Sequence, residues 1–185
     1  MTRAVGRWAV VVAVAVAGAC SLGRHPDADA LAALRARDLM VPVAGVAPAD
    51  VPDSYDEVRD GGVRQHHALD IPAPRGTPVV AADDGVVLAL RQSPHGGLTV
   101  YTTDPDRRFV YYYAHLSGYR RGLRRGAAIA RGDVLGYVGT TGNADHDWPH
   151  LHFQVMVYPA DGHWWRGAPL DPRSALVRPG HVHSS

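Results

Sequence analysis

The chain has 185 residues, enough for one domain with a sizeable hydrophobic core and a modest extension. Its formal net charge of +1 gives no argument for a strongly acidic partner, and we predict no binding to nucleic acid. The chain has no lysine, and Glu57 is its only glutamate. This scarcity of glutamate limits the chemistry open to any catalytic site.

Residues 1–19 have the pattern of a signal peptide. Arg3 and Arg7 precede the apolar run 8–19, which is too short for a stable membrane-spanning helix. The small residues that end the run fit ordinary signal-peptidase cleavage. The same bond precedes Cys20, the only cysteine, as in bacterial lipoproteins, although that pattern usually has leucine where Ala17 stands. Both routes remain open, but a lone thiol is unfavourable in an oxidising compartment. We therefore predict an exported envelope protein with a lipid anchor at Cys20.

One helix and an extended lead-in are expected before the main domain. Residues 20–38 are predicted as a polar tether that leads into an amphipathic helix over 29–38. Residues 40–60 contain three prolines, which favours an extended wrap around the domain. Packing of the lead-in 24–52 against the domain is favoured over a plug, for which His25 or an aspartate would be available.

Signals for β-structure dominate after residue 63. Six strands are predicted, at residues 79–82, 86–90, 98–102, 109–114, 134–138 and 150–157. The first two are expected to form a hairpin across the turn at 83–85. No helix-length periodic run follows. We predict a mainly β fold, with one mostly antiparallel β domain over 39–176 and a flexible tail over 177–185.

Histidine and aspartate side chains point to metal chemistry. His66 and Asp70 precede the predicted strands. His150 and His152 are two residues apart, which places both on one face of the last strand. Two imidazoles and a carboxylate are the ligand set of an open catalytic zinc site. A further imidazole, His115, lies between these pairs in the chain.

Two other interpretations are disfavoured. His181 and His183 have the same spacing, but they lie in a tail rich in Pro, Gly and Ser, where solvated disorder is expected. The His-Glu-x-x-His mechanism needs a glutamate base, and Glu57 has no histidine at the required spacing. Imidazole is then the side chain suited to proton transfer near neutral pH.

Seven segments carry motifs of one known family. They are His66-x-x-x-Asp70-Ile71, Gly76-Thr77-Pro78-Val79, Asp84-Gly85-Val86-Val87, Tyr113-Ala114-His115-Leu116, Gly132-Asp133-Val134-Leu135-Gly136, Gly139-Thr140-Thr141-Gly142-Asn143 and Pro149-His150-Leu151-His152-Phe153. In this order they resemble the lysostaphin-like, LytM-type zinc metalloendopeptidases of bacterial cell walls. The resemblance covers residues 39–176 and implies their fold, an antiparallel β domain of the duplicated hybrid motif type.

The resemblance also implies roles for five residues. One zinc ion would be held by His66, Asp70 and His152, which leaves a fourth position for water. His115 and His150 would form the catalytic pair. We expect His150 to take the proton of the water, and His115 to stabilise the oxyanion and help the leaving amine. The spacing leaves an exchange of these two roles open.

Some positions depart from the family pattern or admit two interpretations. Ala68 stands where the family commonly has glycine, and His67 competes with His66 as first ligand, although the spacing to Asp70 favours His66. The loop 144–148 is longer than in the shortest members, and a solvated loop is favoured over one that binds metal or substrate. The pair 164–165, two tryptophans, would either line a substrate groove or cap the core.

The resemblance implies a zinc-dependent endopeptidase that hydrolyses peptide stems or cross-links of bacterial peptidoglycan through a metal-activated water. The alternative is a non-catalytic, wall-binding regulator of an amidase on the same fold. Such relatives lack some metal ligands, whereas all five site residues are present here. A structural zinc site is disfavoured because only three ligands are evident. The lipoprotein-like start and the composition favour a D-alanyl–diaminopimelate bond over a glycine bridge.

Overall fold

The computed structural model describes residues 26–177. This part of the chain holds one α-helix, α1 (Pro26–Arg35), and thirteen short or medium strands. The strands are β1 (Leu39–Met40), β2 (Val58–Arg59), β3 (Arg64–Gln65), β4 (Leu69–Pro72), β5 (Pro78–Val80), β6 (Gly85–Ser93), β7 (Gly97–Thr103), β8 (Phe109–Tyr119), β9 (Ala128–Ile129), β10 (Val134–Val138), β11 (His150–Val157), β12 (Pro169–Leu170) and β13 (Leu176–Val177). The predictions for residues 1–19, for Cys20 and His25, and for the tail from residue 178 lie outside the described residues.

Nine of the strands form one antiparallel sheet. Its order is β12-β11-β8-β7-β6-β9, with β4 also paired to β11 and β10 paired to both β5 and β8. The long strand β8 is central: β7 pairs along one side of it, while β11 and then β10 pair along the other. The two remaining pairs, β1 with β13 and β2 with β3, are separate two-stranded ribbons. The predicted mainly β, antiparallel fold class is confirmed.

The alternation along β11 separates the core from the site. Leu151, Phe153 and Val155 are fully buried in the hydrophobic core, which also contains rings from β8. The side chains between them project from the opposite face, as predicted for His150 and His152. A strand that buries every second residue holds the intervening residues in a fixed register.

Several predicted elements differ from the structure. Strands β10 and β11 have the predicted bounds, but β8 continues to Tyr119, beyond the predicted end at residue 114. The predicted hairpin across residues 83–85 is wrong, because β5 pairs with β10 and β6 pairs with β7 and β9. Asp83 turns its carboxylate into a buried network there, so the chain crosses between strands instead of folding back. The helix begins three residues before the predicted start, at a proline, which is favoured in the first helical turn.

The lead-in packs against the domain, as predicted. Val41, Val43 and Val51 belong to the hydrophobic core. The Met40 amide donates to the Ala82 carbonyl at 2.9 Å, and β1 pairs in parallel with β13 near the end of the described chain. Within residues 28–52, no side chain lines the cleft described below. None of the helices among residues 26–177 is long and apolar enough to cross a membrane.

Candidate metal centre

Three predicted ligands converge at one point. His66 Nε2 lies 3.0 Å from Asp70 Oδ1, His152 Nδ1 lies 3.0 Å from the same oxygen, and the two nitrogens are 3.1 Å apart. His66 and Asp70 are buried, and His152 is half-buried. Three lone-pair donors gathered this closely form a small triangle, here called the ligand triangle.

Strand pairing brings the ligand triangle together. Antiparallel pairing of β4 with β11 places Asp70 directly opposite His152, so their side chains share one face of the sheet. His66 lies just before β4, and His67 between them has a left-handed φ of 53°. This turn directs the neighbouring imidazoles to different places: His67 pairs with Gln65 and contacts Tyr55, outside the triangle. Of the two candidates for first ligand, the structure places His66 in the triangle.

Ser54 and Arg59 support the ligand triangle, and sequence reasoning did not find them. The Ser54 carbonyl accepts a hydrogen bond from His66 Nδ1 at 2.7 Å, and its hydroxyl accepts one from the Asp70 amide at 2.9 Å. Arg59 Nη2 donates to Asp70 Oδ2 at 2.7 Å. Neither residue lies in a recognisable motif. Both reach the ligands only because the segment 54–59 packs beside β4 in the folded protein.

The hydrogen bonds set the protonation of the ligands. Since His66 Nδ1 donates its proton to a backbone carbonyl, Nε2 carries the lone pair that faces the triangle. Burial raises the pKa of Asp70, but the His152 and His66 rings that contact its carboxylate outweigh burial and hold that pKa well below its ordinary value. Burial lowers the pKa of His152. The ligand set therefore contains an ionised carboxylate, from Asp70, beside the His152 imidazole, which favours its neutral form.

Two further imidazoles flank the ligand triangle. His150 Nε2 lies 3.7 Å from Asp70 Oδ1, and the rings of His115 and His150 are 5.0 Å apart. His150 Nδ1 donates to the Trp148 carbonyl at 2.9 Å, and His115 Nδ1 donates to the Thr141 carbonyl at 2.8 Å. Each ring therefore keeps Nε2 as an acceptor for a proton. Burial lowers the pKa of His115 to about 4.

The backbone at His115 is irregular. His115 has a left-handed φ of 62°, and the register of β7 against β8 shifts between Leu98 and Val100, opposite this point. His115 therefore lies in a β-bulge, an irregularity that turns a side chain away from the direction it would have in a regular strand. Thr141 holds the bulge, because its hydroxyl donates to the Leu116 carbonyl at 2.7 Å and accepts from the Leu98 amide at 3.0 Å.

All five predicted site residues line one open cleft of about 800 Å³. Its walls include Arg59 from one side and the loop 143–148 from the other. Residues 145–148 are exposed, as predicted, and the Asp145 carboxylate accepts a hydrogen bond from the Asp147 amide within the loop. Trp148 lies over His150, with ring centroids 4.3 Å apart. The loop therefore shields one side of the flanking imidazole.

The ligand triangle fits a zinc ion. Tetrahedral zinc with ligands at about 2.0–2.1 Å separates its ligand atoms by roughly 3.3 Å, close to the observed 3.0–3.1 Å. Two imidazoles and a carboxylate match the donor preference of zinc, and carbonyl and guanidinium partners orient them. A three-donor site at the base of an open cleft leaves room for a further ligand.

Fold and site together define a class: an antiparallel β domain with a three-donor metal site and two imidazoles beside it has the features of a metallopeptidase. Comparison with known sequences makes the assignment specific. The family model described as Peptidase family M23 matches residues 64–172, more than half of the chain. The chain belongs to peptidase family M23.

Curated relatives share this region. The peptidoglycan DD-endopeptidase ShyA of Vibrio cholerae is 32% identical over 115 residues, which cover 62% of this chain and 24% of that protein. The L-Ala–D-Glu endopeptidase of Bacillus subtilis is 35% identical over 98 residues, which cover 50% of this chain and 30% of that protein. The chain thus spans about a quarter of the length of such relatives.

Solved structures share the fold. A zinc-containing peptidase from Vibrio cholerae is 26% identical, with a TM-score of 0.58 over 76% of this chain and 41% of that one. The catalytic domain of lysostaphin from Staphylococcus simulans is also 26% identical, with a TM-score of 0.51 over 77% of this chain and 93% of that one. The predicted family resemblance and fold type are confirmed.

Proposed function

We propose that the protein is a zinc-dependent endopeptidase in which one zinc ion is held by His66, Asp70 and His152. The observation that carries this proposal is the ligand triangle, three donors 3.0–3.1 Å apart at the base of an open cleft. Zinc bound there would polarise a peptide carbonyl and lower the pKa of a bound water to about 7. Membership of a peptidase family supports the reaction class.

The protein groups around the ion would move the protons. His150 is our choice for the general base, since its Nε2 lies beside the triangle and its Nδ1 proton is engaged by the Trp148 carbonyl. His115 would stabilise the developing oxyanion and help the leaving amine once its Nε2 also carries a proton, and its orientation is maintained by the Thr141 carbonyl. Both rings lie in equivalent carbonyl-anchored settings, so an exchange of the two roles is also consistent with the geometry.

The proposed substrate is bacterial peptidoglycan, cut within peptide stems or at their cross-links. Two relatives support this substrate class, since one is named a peptidoglycan DD-endopeptidase and the other an L-Ala–D-Glu endopeptidase. The regulator alternative is disfavoured, because His66, Asp70, His115, His150 and His152 all lie in the same cleft.

The proposal includes the cellular location of the protein. Residues 1–19 would direct export, and a lipid on Cys20 would anchor the domain of residues 39–176 to the membrane of the cell envelope. Action on peptidoglycan requires a location outside the cytoplasm, which agrees with such an export signal. Radiolabelled palmitate, incorporated by the wild type and not by Cys20→Ala, would support the anchor.

The test of the activity is a digest of purified peptidoglycan by the protein, with mass spectrometry of the released muropeptides. We expect loss of cross-linked or stem peptides, and the new termini identify the bond. The activity should disappear with chelator and in His150→Ala. The matched control is His146→Ala, which removes an exposed imidazole of the neighbouring loop and should retain activity. Intact peptides with folded, zinc-loaded protein would contradict the endopeptidase.

A further inference from the structure

A row of four aromatic rings leads away from the metal centre. Tyr112 lines the cleft, and its ring centroid is 5.9 Å from that of His152. The row continues from Tyr112 to Tyr101 at 4.5 Å, to Trp164 at 4.7 Å and to Trp165 at 5.2 Å. The cleft is thereby connected to a surface that the proposed reaction does not use.

The sheet and one connection build this aromatic row. Tyr101 on β7 and Tyr112 on β8 are direct cross-strand partners, so the row runs across the strands. The connection between β11 and β12 carries Trp164 over the ring of Tyr101. Arg91 on β6 also contacts Trp164. Its guanidinium carbon lies over the Trp164 ring, 5.6 Å from the ring centre.

Trp165 ends the row in solvent. It is 52% exposed, yet Trp164 and His163 both meet its ring edge-to-face, at interplanar angles of 88°. Trp164 thus packs on the domain, while Trp165 contributes little to the core. An exposed indole whose orientation is restricted by its neighbours is a preorganised apolar surface, available to a ligand without a loss of side-chain freedom.

The length of the row indicates what would reach it. Four steps of about 5 Å place Trp165 within about 20 Å of His152. An extended peptide of about five residues spans roughly 17 Å. A stem peptide cut at the metal centre would therefore deliver its attached sugar to the outer end of the row. Sugar rings present C–H groups to aromatic faces, and indole offers the largest such face.

We propose that Trp165, supported by Trp164, is a carbohydrate-binding platform for the glycan strand that carries the stem peptide. The inference rests on the proposed function, because the substrate must join sugar and peptide. The platform contributes binding to the glycan-bearing substrate at a distance from the cleaved bond. It would favour peptides still attached to the wall over peptides already released.

A binding experiment tests the platform without any need for catalysis. Peptide-free glycan strands, prepared from peptidoglycan by amidase treatment, are titrated into the wild type, Trp165→Ala and Tyr137→Ala by calorimetry. Tyr137 is a matched exposed aromatic residue, 37% exposed, on β10. We expect the affinity to fall about three- to ten-fold in Trp165→Ala and to remain at the wild-type value in Tyr137→Ala. Equal binding by Trp165→Ala, or no binding by the wild type, would overturn the platform.

Kinetics add a second readout. Trp165→Ala should lose kcat/KM only on cross-linked muropeptides that carry sugars. This loss should come from a higher KM rather than from a lower kcat. A comparable loss on the same cross-linked peptide without sugars would show that Trp165 contacts peptide and would overturn the proposal. If the wild type cleaves neither substrate, the proposed function fails, and the glycan titration still decides the platform.

Discussion

At the scale of single residues, backbone carbonyls determine the state of the imidazoles. His66, His115 and His150 each donate Nδ1–H to a main-chain carbonyl, of Ser54, Thr141 and Trp148 respectively. A carbonyl can only accept, so each ring has its proton on Nδ1 and its lone pair on Nε2. The chemistry of the site is therefore prepared by main-chain atoms that no side-chain motif reveals.

Arg59 gives the first prediction. Its guanidinium donates to Asp70 Oδ2, so Arg59→Ala removes the partner that orients this ligand. We expect the zinc affinity to fall roughly 10- to 100-fold, as when outer partners of metal ligands are removed. Competition with a chromophoric chelator measures the affinity. The exposed Arg124→Ala serves as the control for loss of one positive charge, and equal affinities in the two variants would contradict the role of Arg59.

At the scale of elements, two loops hold the bulge that carries His115. The loop after β6 and the loop before β11 meet backbone to backbone: the Asn143 amide donates to the His95 carbonyl at 3.0 Å, and the His115 amide donates to the Gly96 carbonyl at 2.8 Å. A Cβ on Gly142 would lie 2.3 Å from the amide nitrogen of Gly97. Glycine is required here by contact as well as by its φ of 79°.

Gly142→Ala tests this contact. The substitution adds strain of about 1–2 kcal/mol for a left-handed residue and also displaces the loop that positions Thr141. We expect kcat to fall roughly 10- to 100-fold, because the carbonyl that anchors His115 moves. Gly122→Ala is the matched control, with a φ of 80° and open space around the added methyl group. It should lose stability alone, and a similar kcat loss in both variants would contradict the contact argument.

At the scale of the whole molecule, a buried carboxylate ties the lead-in to the sheet. Asp83, 2% exposed, accepts from Arg37 Nε at 2.7 Å and from the Tyr111 hydroxyl at 2.9 Å, and Arg131 Nη2 lies 3.4 Å away. The hydrogen bond that Arg37 donates to Asp83 raises the pKa of Arg37 above its ordinary value. This network joins segments that are far apart in the chain and lies apart from the cleft.

Asp83→Ala should therefore separate stability from activity. Removal of the carboxylate takes one acceptor away from two guanidinium groups and from the buried Tyr111 hydroxyl, and we expect a loss of about 3 kcal/mol in the free energy of unfolding. Urea denaturation measures this loss. Asp106→Ala removes an exposed carboxylate 3.5 Å from Arg37 and should cost less than about 1 kcal/mol. Below its unfolding temperature, Asp83→Ala should keep wild-type activity, and selective loss of activity would contradict this separation.

Metal binding should be visible in the stability of the whole domain. A ligand that binds only the folded state adds about 4 kcal/mol when its free concentration is a thousand times its Kd. We expect zinc to raise the unfolding temperature and chelator to lower it. His66→Ala should abolish the dependence on zinc, because it removes one corner of the ligand triangle. Identical melting curves with zinc and with chelator would contradict the metal site independently of any activity assay.

Local pattern was sufficient for part of the fold and of the site. The alternation in β11 predicted its bounds and placed His150 and His152 on one face, and the glycine-bounded β10 also has its predicted limits. Such regularities depend on the two-residue alternation of side chains along a strand, which can be recognised from residues that are neighbours in the sequence. The identities of the residues that gather in the cleft were likewise available from the order of the motifs.

Only the tertiary structure decided how the parts meet. It placed His66 rather than His67 in the ligand triangle, brought Ser54 and Arg59 to Asp70, and paired β5 with β10 instead of β6. These outcomes depend on hydrogen bonds between segments that are distant in the chain. The local sequence pattern does not specify the partners of such bonds, because the same pattern is compatible with several pairings. The sequence by itself determined the strand periodicity, the types of metal-ligand side chains and the family. The tertiary structure determined which of these side chains faces which partner, because that depends on contacts between distant segments.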